Sequence, residues 1–87
     1  MNKGIIKTYL EENNYDIDSN SSGINLVLDN KELIIKGSSL DLIELADYIT
    51  QVALSDKDND HLHLDELTLL NKDNDISSLI IEKNWLI

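Results

Sequence analysis

The sequence predicts a small α+β domain: a mainly antiparallel sheet of about four strands, with one central amphipathic helix (about residues 39–54) packed on one face. Three observations carry that prediction. Two apolar runs, Ile24–Leu28 and Glu32–Lys36, flank a short polar turn and read as a β-hairpin. From Leu40 to Leu54 the apolar residues recur with helical spacing. His61-Leu62-His63-Leu64-Asp65 then alternates strictly, as a half-buried strand does.

The elements follow in chain order. Ile5, Ile6, Tyr9 and Leu10 fall on one helical stripe, which favours a short N-terminal helix, although strand alternation through Ile6, Thr8 and Leu10 fits less well. Residues 16–23 are turn formers and small polar groups around a lone apolar anchor, Ile17. In the hairpin connection Asp29-Asn30-Lys31, Asp29 and Asn30 tolerate the positive φ of tight turns. Gly37 ends the second strand. Ser38 is placed as N-cap of the central helix, with Asp41 three residues on partly imitating a capping box and complementing the positive helix end. Leu42, Leu45, Ala46, Ile49, Val52 and Ala53 form its apolar stripe, leaving Asp41, Glu44, Asp47, Tyr48 and Gln51 on the expected wet side. An acidic loop, Asp56–Asp60, recurs as a near copy at Lys72–Asp75, and Ser78–Glu82 reads as the last strand. The terminal Trp85-Leu86-Ile87 is expected to plug the core more readily than to meet a partner.

Composition narrows the function. The 87 residues are expected to form one domain, 1–87, of modest stability margin. Seventeen acidic residues against seven lysines and no arginine give a net charge of −10. Such a field repels nucleic acid and anionic membrane and attracts basic surfaces, unless the acidity serves solubility alone. The absence of Cys excludes disulfides, thiolate nucleophiles and Cys-based zinc sites. No apolar run has the form of a signal peptide or the length of a membrane span, so the expected compartment is the cytoplasm.

Chemical motifs are weak. Asp56, Asp58 and Asp60 imitate the opening of a calcium loop, but His61 and Leu67 occupy the places of its obligatory Gly and bidentate Glu. In the second copy Glu82 falls where the bidentate Glu belongs, but Ile76 stands in place of Gly. His61 and His63 project from one strand face with Asp65; converging all three on one metal from a single strand is difficult, and a solvent- or partner-facing row is the better reading. Gly37-Ser38-Ser39-Leu40-Asp41 imitates the serine segment of acyl carrier proteins, yet Ser38 replaces the preceding Asp and the flanking strands do not suit an all-helical fold. There is no Cys, no Arg and no Gly-rich phosphate loop, and both His lie on one strand, so the reading is a non-enzyme with no cofactor.

In order and spacing, Leu33-Ile34-Ile35-Lys36-Gly37-Ser38, the Leu45-Ala46 helix face, His61-Leu62-His63-Leu64-Asp65 and Ser78-Leu79-Ile80-Ile81-Glu82 resemble the immunity protein 32 family of bacterial polymorphic toxin systems. The resemblance spans about residues 24–82. It implies a non-catalytic immunity protein that binds and neutralises a cognate toxin encoded beside it. A basic nuclease domain would suit an acidic surface acting as a substrate mimic. Two contact surfaces are expected: the helix and its following loop (Asp41, Glu44, Asp47, Tyr48, Asp56, Asp58, Asp60) and the histidine row (His61, His63, Asp65). The alternative is an acidic interaction module for another partner. Edge strands in so small a sheet also leave room for a homodimer.

Overall fold

The computed structural model describes residues 4–17, 20–21, 23–56, 60–65, 69–71 and 76–84. The α+β class holds. The order is α1 (Ile5–Glu12), β1 (Asn25–Asp29), β2 (Glu32–Lys36), α2 (Ser39–Ala53), β3 (His61–Leu64) and β4 (Leu79–Glu82). The four strands do not share one sheet: β1 pairs antiparallel with β2, and β3 with β4. What joins the hairpins is a parallel bridge between Ile24 and Leu70. There the Ile24 amide donates to the Leu69 carbonyl at 2.9 Å, and the Asn71 amide donates to the Ile24 carbonyl at 2.8 Å. Ile24 is fully buried, so its backbone groups need these partners.

The first hairpin turns on Asn30 and Lys31, both in the left-handed region at φ 50° and 69°. That is the two-residue geometry whose twist matches the flanking strands. It falls within the expected Asp29-Asn30-Lys31 connection, with Lys31 rather than Asp29 taking the positive φ beside Asn30. Facing partners Leu26↔Ile35 and Leu28↔Leu33 share one side of this hairpin. Only Leu26 reaches the core, and Leu28, Leu33 and Ile35 remain exposed.

The core gathers Ile24, Leu26, Leu45, Leu64, Leu69 and Leu70, with Tyr48, Leu62, Ile76, Leu79 and Ile81 packed around it. In the second hairpin Leu62 faces Ile81 and Leu64 faces Leu79, so that side turns inward against α2. Along α2, Leu45 and Val52 are buried as expected, whereas Leu42 and Ile49 stand largely exposed. Asp41 and Asp47, expected on the wet side, are buried instead. The inward face therefore runs through Asp41, Leu45, Tyr48 and Val52, a helix rotated by a little under one residue from the apolar stripe. Hydrogen bonds to the Asp41 carboxylate make that rotation tolerable, whereas Asp47 lies on another side of α2 and is buried against the start of α1.

The C-terminal end of α2 is tied down from β4. The Lys83 ammonium donates to the Ala53 carbonyl at 3.0 Å and to the Ser55 carbonyl. A cation there satisfies unpaired carbonyls and complements the negative helix end. Among the described residues no helix is long and apolar enough to cross a membrane. The second acidic copy, 72–75, and the terminal Trp85-Leu86-Ile87 lie outside the described residues.

Candidate functional site

Asp41 and Asp47 have structural roles that remove them from the expected contact surface. Asp41 is 0% exposed. Its carboxylate accepts from the Ser21 hydroxyl at 2.5 Å, the Gly23 amide at 3.1 Å and the Ser38 hydroxyl at 2.9 Å. The Asp41 amide in turn donates to Ser38 Oγ at 3.2 Å, which confirms Ser38 as N-cap. A true capping box would send the carboxylate back to the Ser38 amide. Here it reaches across to Ser21 and Gly23 and ties them to the helix end.

Asp47, 5% exposed, caps the other helix. The N-cap position of α1 is Gly4, which has no side chain to offer. Instead the Ile6 and Lys7 amides donate to Asp47 Oδ1 at 2.5 Å and Oδ2 at 3.4 Å. These are the amides a local Ser or Asp would satisfy. A Cβ at Gly4 would collide with the Asp47 carboxylate, so the borrowed cap occupies the space of the missing side chain.

The remaining residues of the first expected surface stay accessible in varying degree. Glu44 is half-buried, Asp56 exposed and Asp60 half-buried, with Asp60 Oδ1 accepting from the His61 amide at 3.0 Å. Asp58 lies outside the described residues. Tyr48 is half-buried with one part against the core. It shares with Glu44 a cleft of about 290 Å³ between α1 and α2, whose opposite wall carries Lys7, Thr8 and Glu11. Lys7, Thr8 and Glu11 were missed from sequence. Their helical spacing signals a common face, but nothing local says which element that face meets.

On the second surface the expected alternation holds: His61 and His63 are exposed on the outward side of β3, and Leu64 is buried. The register adds two neighbours, Glu82 directly across from His61 and the exposed Ile80 across from His63. Asp65, just beyond the strand, is half-buried, and its carbonyl accepts from the Leu69 and Leu70 amides at 3.3 and 3.0 Å. Among the described residues no group of three or more His, Asp or Glu is placed to hold a metal ion.

Residues 32–84, more than half of the chain, match the family model described as immunity protein 32. The chain belongs to that family. The match takes in β2, α2 and the second hairpin; α1 and β1 precede it. No curated protein and no solved structure matches the chain.

Proposed function

We propose that this protein neutralises a cognate toxin domain inside the producing cell, by tight non-catalytic binding through its acidic surface. Membership of the immunity protein 32 family is the observation that carries this reading. The net charge of −10 supports a basic target, of which a nuclease with a phosphate-binding cleft is the natural example. The proposed contacts are Glu44, Tyr48, Asp56, Asp58, Asp60, His61, His63 and Asp65, now without the two internal carboxylates.

The test is co-expression with the variable toxin domain encoded in the adjacent reading frame. Cells carrying both genes should survive, and the two chains should co-purify as a stoichiometric complex. Survival without complex formation would point instead to enzymatic detoxification and would overturn the binding mechanism.

A further inference from the structure

We propose that the outer edge of β2 pairs antiparallel with β2 of a second copy of this chain, about a twofold axis at Ile34. The two hairpins then form one sheet in the order β1-β2-β2-β1. This goes beyond the immunity reading and does not depend on it. The hairpin register sets which backbone groups reach that edge. Asp29 and Glu32 close the turn at Asn30 and Lys31, so they exchange hydrogen bonds, as by alternation do Val27 with Ile34 and Asn25 with Lys36. Leu33 and Ile35 therefore aim their amides and carbonyls away from β1. The opposite strand obeys the same alternation: the Ile24 amide and carbonyl point outward from β1, to Leu69 and Asn71. That contact occupies the outer edge of β1, whereas among the described residues β2 is paired with β1 alone. Every residue of β2 except Ile34 is exposed, its register runs without a bulge, and the chain has no proline to blunt it. An edge so open is a template for another strand.

The residues along that edge select the occupant. In the antiparallel register centred on Ile34, Leu33 falls opposite Ile35 of the second copy, and Ile35 opposite its Leu33. These are the residues whose backbone groups point outward, so each pair exchanges both of its hydrogen bonds. The same register sets Glu32 opposite Lys36 of the second copy, and Lys36 opposite its Glu32. Both charge pairs fall at non-hydrogen-bonded positions, where facing side chains stand closest. A slip of two residues in either direction takes both charges off their partners, and an in-register parallel pairing sets like charges side by side. Charge also singles out this hairpin within a chain of net charge −10: between Ile24 and Gly37, Asp29 and Glu32 are balanced by Lys31 and Lys36. Two copies repel each other least where that balance holds. Pairing also shelters Leu33 and Ile35, 47% and 40% exposed, against each other on one face of the joined sheet.

Sedimentation of the full-length protein over a concentration series tests the pairing, with amide exchange locating the contact. A monomer–dimer equilibrium is expected, in which the Leu33 and Ile35 amides exchange more slowly as concentration rises. Glu32→Lys sets lysine against lysine across the twofold, and Lys36→Glu sets glutamate against glutamate. Each alone should weaken dimerisation by about fivefold or more. An equimolar mixture of the two single variants restores both opposite-charge pairs and should dimerise at least as tightly as wild type. Leu33→Pro removes an outward amide that β1 does not use, so thermal melts should show a folded chain and sedimentation a monomer. A wild type that stays monomeric up to about 1 mM overturns the pairing of copies. If Leu33→Pro then also loses affinity for the adjacent toxin domain, the edge belongs to that partner instead. A dimer left unchanged by all three variants equally overturns the proposal, because its contact lies elsewhere.

Discussion

Lys31 has φ 69°, in a region where a side chain crowds the following carbonyl at a cost of about 1–2 kcal/mol. Glycine escapes that cost but loses more backbone freedom on folding, about 0.5–1 kcal/mol. Lys31→Gly is therefore expected to raise stability by roughly 0.5–1 kcal/mol. Urea unfolding should show a higher midpoint at unchanged slope, and a lower midpoint would show that the lysine side chain makes a contact outweighing the strain. The turn itself was legible because Asn30 invites the left-handed region; its exact register was not, since Asp29 tolerates that region as well. Asp41 teaches the same lesson inside out. A carboxylate three residues after Ser38 is favourable whether it faces water or Ser21 and Gly23, so the local pattern identified the cap but not the burial.

At the scale of elements, α1 owes its position to a neighbour. Eight residues are too few for a helix to persist alone in water. It contributes no fully buried side chain, and half of its apolar stripe, Ile5 and Tyr9, faces outward. The borrowed Asp47 cap is thus its principal polar tether. Asp47→Ala should cost about 1–2 kcal/mol and strip hydrogen-exchange protection from α1 while the β3–β4 amides keep theirs. Gly4→Ser should also destabilise alone, through its collision with Asp47. In the Asp47→Ala background, however, the serine finds room and supplies a local cap, so the double variant should be more stable than either single one. Additive losses would disprove the shared space. The central helix, the first hairpin and the strands β3 and β4 were readable from periodicity and turn residues, but the division of the four strands into two sheets was not. The burial of Asp41 and Asp47 was not, because the groups that hydrogen-bond their carboxylates come from segments about twenty and forty residues away.

For the whole molecule, the charge was plain in the sequence but its distribution was not. Among the described residues the acidic side chains of Asp41 and Asp47 face inward, and the Lys83 ammonium donates to the Ala53 carbonyl at the end of α2. Exposed acids stand on α1 (Glu11, Glu12), at the first hairpin turn (Asp29, Glu32), after α2 (Asp56) and on β4 (Glu82). On a basic partner such as the proposed toxin domain, charges so placed would act mostly before contact, by steering it, since exposed pairs contribute little once formed. Raising ionic strength from about 50 to 500 mM shortens the screening length from roughly 14 to 4 Å and should slow association with the toxin domain at least tenfold. Dissociation should change far less, because it reports the short-range contacts made after docking. Stopped-flow association and surface-immobilised dissociation measure the two rates separately. If association ignored salt while the complex remained tight, binding would have to come from apolar residues left outside the core, such as Leu28, Leu33 and Ile35 on the first hairpin, and the acidic surface would serve only to keep the chain in solution.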